Sequence, residues 1–150
     1  RMTRGSAIAV AAVTIAAVGA AATVFVWAPW RSTAEADDQA RIALGQRVYA
    51  ANCASCHGAN LEGQPDWQSR RPNGRLPAPP HDASGHTWHH SDAQLITLTQ
   101  KGVAGLVPGY ESDMPAFEGV LSTAEISAVI AYIASTWPPE IRRRRAERLQ

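Results

Sequence analysis

Cysteine is scarce in this sequence: Cys53 and Cys56 are the only two, three positions apart. A structural zinc site at the pair would need further soft ligands at matching spacing. Methionine is as rare, with Met2 near the N-terminus and Met114 far downstream. No stretch alternates apolar and polar residues as a half-buried strand does, and there is no internal repeat. A basic stripe interleaved with aromatics is also missing, which removes nucleic acid as a partner.

Charge is absent from Gly5 to Trp30, where Ala, Val and Ile dominate. At 1.5 Å per residue, Ala7 to Trp27 would form a helix of roughly 31 Å, about one hydrocarbon thickness. Arg1 and Arg4 precede it, Trp27 and Trp30 stand where an interfacial belt would, and Glu35, Asp37 and Asp38 come soon after Arg31. The positive-inside rule then keeps the N-terminus in the cytoplasm and exports the chain beyond Trp30. A cleaved leader is the alternative, since Ala20-Ala21-Ala22 and Ala34-Glu35-Ala36 fit a small-x-small cut. Against it, the apolar run exceeds the roughly 7–15 residues of a signal core. The expectation is a retained single transmembrane helix over 1–30.

The remainder of the chain divides into a polar linker over 31–40, an all-α domain over 41–138 and a basic tail over 139–150. Between Ser32 and Ile141 six Arg or Lys face twelve Asp or Glu, a balance of −6; from Arg142 on, five Arg and one Glu give +4. The near-neutral total thus hides an acidic body with a basic end, which either binds an anionic surface or lies solvated as a terminus. Ile42, Leu44, Val48, Tyr49 and Asn52 recur at helical spacing. Ser91-Asp-Ala-Gln94 and Ser122-Thr-Ala-Glu125 are capping boxes that open two more helices. Gly102 is placed to end the first, and Pro138 and Pro139 to stop the second. Leu61 to Pro80 is a loop rich in Pro, Gly, Asn and Arg, of a length that is often functional.

Cys53-Ala-Ser-Cys56-His57 is the pattern of covalent haem attachment. Thiols at i and i+3 on one turn add across two haem vinyl groups, and the next residue stands under the iron with an imidazole nitrogen. A Cys53–Cys56 redox pair would want a βαβ setting, which is absent. Short helices around a small domain also leave little apolar surface to bury, and a flat apolar cofactor would supply the missing core.

From about Asp37 to Trp137 the chain resembles the class I cytochromes c, small all-helical monohaem electron carriers. Gly45 and Tyr49, eight and four residues before Cys53, match that family's glycine and aromatic on the first helix. Val129 and Tyr132 match the apolar and aromatic pair on the crossing C-terminal helix. Met114-Pro115-Ala116-Phe117 matches the loop that carries the sixth iron ligand. The resemblance implies one covalent haem c ligated by His57 and Met114, and a proline carbonyl, Pro79 or else Pro80, accepting the hydrogen bond of the ligating His57. It leaves Trp88 as a donor to a haem propionate or as a packing aromatic. Arg70, Arg71 and Arg75 meet propionates or a partner, or lie in a solvated loop.

His81, His86, His89 and His90 crowd ten residues and depart from the common family pattern. They are an alternative iron ligand, a second metal site, or polar residues near the haem edge. Filled axial positions imply electron transfer without catalysis or a small-molecule substrate. The expectation is a carrier of the bacterial inner membrane, with its haem domain in the periplasm and membrane redox complexes as donor and acceptor. The alternatives are a fixed haem subunit of an oxidase or dehydrogenase, a metal-handling or sensor protein using the histidines, and a peroxidase-like haem enzyme with a labile Met114.

Overall fold

A computed structural model describes residues 33–149. The expected anchor lies outside the described residues. The chain divides into two units, Arg1–Gln39 and Ala40–Gln150; of the first, residues 33–39 are described, and they are helical and exposed.

The described residues are all helix, turn and loop, with no strand among them. Residues 33–52 are helical (α1), so the linker expected over 31–40 is helical from residue 33 on. A single turn, α2 (Ala54–His57), carries the cysteine motif. After a long loop and a 3-10 turn at Thr87–His89 come α3 (Asp92–Leu106), α4 (Thr123–Thr136) and α5 (Pro139–Arg148).

Local chemistry explains the starts. In α3 the Ser91 N–H donates to Gln94 Oε1 at 3.0 Å, and the Gln94 N–H donates back to Ser91 Oγ at 3.2 Å. Ser122 and Glu125 repeat the exchange in α4, at 2.8 and 3.2 Å. Each box satisfies two donors that a helix start otherwise leaves unpaired. Gly102 interrupts α3 with φ 68° and ψ 160°, a backbone that suits glycine, and helical residues resume after it up to Leu106.

The core is where α1 meets α4. Val48 and Tyr49 from α1, Val129 and Ile133 from α4, and Leu61, Trp137 and Ile141 form one buried cluster. Gly45 makes the crossing possible, because a Cβ there would run into the Ala128 carbonyl and stand 2.9 Å from Tyr132 Cβ. Tyr49 and Tyr132 then pack ring to ring at 5.6 Å.

The stretch from Leu61 to Pro80 closes on itself. The Gln64 N–H donates to the Ala78 carbonyl at 2.9 Å, and the His81 and Asp82 N–H groups both donate to the Leu61 carbonyl. These bonds bring the ends of the loop together.

The basic tail differs from a solvated terminus. Pro138 and Pro139 do end α4, but Pro139 also occupies the first turn of α5, where a missing N–H costs nothing. Ile141 is buried in the core cluster. Arg145 donates to the His90 carbonyl at 3.0 Å and to Asp92 Oδ1 at 2.5 Å, with its guanidinium 5.3 Å over the Trp137 ring. These contacts hold α5 against the 3-10 turn.

Candidate haem-attachment site

The cysteine motif is set by the end of α1. The Cys53 N–H donates to the Tyr49 carbonyl at 2.8 Å, and the His57 N–H donates to the Cys53 carbonyl at 2.9 Å. Tyr49 Oη donates to the Gly58 carbonyl at 2.9 Å and fixes the far side of the turn. Gly58 leaves it with φ 84°. The next residues return: the Gly63 N–H donates to the His57 carbonyl at 2.8 Å.

Both thiols are free; Cys53 is partly buried and Cys56 exposed. Burial, with Cys56 alongside, pushes the Cys53 thiol up to about 11. A redox or nucleophilic cysteine needs the opposite shift, toward thiolate, so Cys53 is not tuned for disulfide exchange.

His57 is 8% exposed. Its Nδ1–H donates to the Pro79 carbonyl oxygen at 2.9 Å, which leaves Nε2 without the proton and able to ligate a metal. Burial holds this imidazole below the usual histidine range, against the opposing effect of the Pro79 bond, so it stays neutral as a ligand must.

Two free thiols at i and i+3 beside one buried imidazole with its second nitrogen committed are the donor set that haem c requires, and the residues fit that group. Met114 lies on a separate segment anchored to α3. Its N–H donates to Ser112 Oγ at 3.1 Å, and its carbonyl stands where a Cβ on Gly102 would come within 3.3 Å. The Phe117 and Glu118 N–H groups donate to the Thr99 and Gln100 carbonyls at 3.1 and 3.0 Å.

Sequence reasoning missed what ties the Leu61–Pro80 loop to this segment. Arg75 bonds Asp113 Oδ1 at 2.5 Å and Glu111 Oε2 at 3.4 Å, Arg71 approaches Asp113 at 3.8 Å, and Arg70 stands 5.5 Å over the Tyr110 ring. The pairs raise Arg75, chiefly through Asp113. These arginines therefore tie the loop to the Met114 segment through exposed pairs rather than lying simply solvated. The opposite charges were visible in the sequence, but nothing local pointed from one to the other.

Trp88 and Trp137 have divided their roles. Trp88 Nε1–H donates to the Gly85 carbonyl at 3.1 Å, within its own turn. Trp137 Nε1–H donates to the His81 carbonyl at 2.8 Å.

The four histidines do not act as one group. His81 stacks on His57, with ring centroids 4.1 Å apart and planes 23° apart. His86, His89 and His90 form a separate surface group, with Trp67 stacked on His86 at 5.5 Å and Trp88 against His89 at 3.9 Å. Among the described residues, no group of three His, Cys, Asp or Glu is arranged to hold a metal ion.

An all-helical domain with thiols and a carbonyl-tethered histidine on one turn defines a covalent haem protein. Residues 42–137 match the family model for cytochrome c, and the chain belongs to that family. It is 33% identical over 99 residues to the cbb3-type cytochrome c oxidase subunit CcoP of Rhodobacter capsulatus, covering 65% of this chain and 30% of that protein. It is 31% identical over 109 residues to cytochrome c-555 of Prosthecochloris aestuarii, covering 65% of this chain and 90% of that one. Over 66 residues it is 36% identical to the cytochrome c subunit of the cytochrome bc1 complex of Mycobacterium bovis, covering 44% of this chain and 23% of that subunit. The chain thus spans less than a third of the length of the oxidase subunits it resembles. No solved structure gives a significant match. One covalently bound haem c and electron transfer follow from the family.

Proposed function

We propose that this protein is a membrane-anchored periplasmic cytochrome that passes single electrons between membrane redox complexes, with His57 and Met114 as axial ligands. The observation that carries the reading is the His57–Pro79 hydrogen bond beside two unpaired thiols. Bound haem supplies a one-electron couple at its iron. Cys53 and Cys56 would hold the macrocycle by thioether bonds, and His57 would present Nε2 with a basicity raised by the Pro79 carbonyl. Met114 offers the softer thioether, which favours the ferrous state and a comparatively high potential. His57 and Met114 together would leave no open site for a substrate, which favours a carrier over an enzyme.

Anchoring rests on the uncharged run from Gly5 to Trp30. Among the described residues, no helix is long and apolar enough to cross a membrane, so the anchor stands on sequence alone. The intact mass of the mature protein tests it: loss of the first 22 or 36 residues would make the carrier soluble. Haem attachment and redox function are tested together by gel analysis of denatured protein for retained haem and by a one-electron redox titration.

A second reading is a fixed haem subunit of a larger oxidase, favoured by the similarity to CcoP. Purification from native membranes separates the two. A carrier is stable and redox-active alone, whereas a subunit brings its complex with it.

A further inference from the structure

We propose that His81, locked by Thr87, is a positioning residue that sets the ring plane in which His57 presents its free nitrogen to the haem iron. The inference rests on the reading of His57 as the iron ligand and adds to it a second residue with a distinct task.

A hydrogen bond from Nδ1 to the Pro79 carbonyl holds one corner of the His57 ring. A single corner is a pivot: it fixes where the ring is, but still permits the plane to rock. A flat ring stacked on its face, with centroids 4.1 Å apart and planes 23° apart, restricts that freedom. An aliphatic side chain would fill the same space without a plane of its own.

His81 is suited to this because it is held at several points. Its N–H donates to the Leu61 carbonyl at 2.8 Å, and its carbonyl accepts from Trp137 Nε1–H at 2.8 Å. Its Nδ1 is hydrogen-bonded to Thr87 Oγ1 at 2.7 Å, and Thr87 is itself buried. The Tyr49 ring meets it edge-on at 6.2 Å. Backbone anchors on both sides of one residue fix its Cα, and the threonine bond fixes the rotation of its ring. The order of constraint runs from Thr87 to His81 to His57.

The ligand ring plane decides which iron orbital it overlaps, and that is readable in the oxidised protein as the order and spread of the four haem-methyl proton resonances. Full-length holoprotein is compared with His81→Leu, Thr87→Val and Thr87→Ser. The expected result is a reordered methyl pattern in His81→Leu, a smaller change in the same sense in Thr87→Val, and the wild-type pattern restored in Thr87→Ser. The reduction potential should rise in the first two, because a rocking His57 bonds Pro79 less well and becomes a less basic ligand. Wild-type methyl order and potential in both His81→Leu and Thr87→Val, with only thermal stability reduced, would overturn the proposal and leave His81 a packing residue. Should His81→Leu fail to fold, the Thr87→Val and Thr87→Ser pair decides alone. A wild-type protein that carries no haem would overturn the proposal by a different route, through the ligand reading beneath it.

Discussion

Gly45 and Ala128 touch backbone to backbone: a side chain of any size on Gly45 would enter the space of the Ala128 carbonyl. The crossing of α1 and α4 that carries Tyr49 into the core depends on this one missing methyl group, and Tyr49 in turn holds the haem-attachment turn through Gly58.

Gly45→Ala is therefore expected to be far more harmful than a surface Gly→Ala change. The colliding group is backbone, which cannot rotate away, so the cost should reach about 3 kcal/mol or more. In a domain of this size that lowers Tm by at least about 10 °C. Thermal unfolding of purified holoprotein measures it; a Tm within about 2 °C of wild type would mean the helices separate at little cost.

The legible parts of this protein were the local ones. Capping boxes at Ser91 and Ser122 can be read directly, because both partners lie within four residues of each other. The glycine on α1 was visible only through the family resemblance, since its partner Ala128 is remote in sequence. The Arg75–Asp113 pair escaped for the same reason, its partners standing 38 positions apart. Trp88 and Trp137 carry the same side chain, and tertiary placement alone gives one its own turn and the other the His81 carbonyl. Pro139 misled differently: a residue that stops one helix is also a good first residue for the next. The stacking of His81 on His57 had no signal in spacing at all, because it requires the Leu61–Pro80 loop to close on itself.

Covalent attachment makes a direct prediction for the cysteines. In Cys56→Ser one thioether is lost and haem retention on a denaturing gel should fall strongly. The double variant Cys53→Ser, Cys56→Ser should retain none. Haem that stays on the double variant after denaturation would mean the thiols are not its attachment points.

The segment carrying Met114 should be weakly held by its exposed ion pairs. Met114→Ala is expected to abolish the near-infrared sulfur-to-iron charge-transfer band of the oxidised protein. Arg75→Gln leaves Met114 in place but unties Asp113, next to it in sequence. Exposed pairs of this kind are individually weak, so the fraction of protein lacking the band should rise only about two- to fivefold at a given temperature. Added salt should do the same to wild type and little to Arg75→Gln. Equal salt sensitivity in both proteins would show that the latch does not bear on Met114.

The basic helix α5 cannot simply be deleted as a loose tail, since Arg145 bonds the His90 carbonyl and Asp92. Arg142, Arg143 and Arg144 are exposed, and among the described residues no carboxylate pairs with them. Their charge opposes the body, which carries a balance of −6 between Ser32 and Ile141. An acidic body favours a basic docking face, with an association rate that falls as salt shortens the Debye length to about 10 Å at 0.1 M. Replacing Arg142, Arg143 and Arg144 together with Gln removes the opposing charge while leaving Ile141 and Arg145 in place. The expected outcome is an unchanged spectrum and Tm, faster electron transfer with a purified quinol-oxidising complex at low salt, and a steeper fall of that rate as salt rises. Stopped-flow kinetics across ionic strength compares wild type, the triple variant and a control carrying Arg148→Gln alone. A flat salt dependence in every one would mean that docking is apolar, around the haem edge, and that the charges on α5 serve solubility rather than encounter.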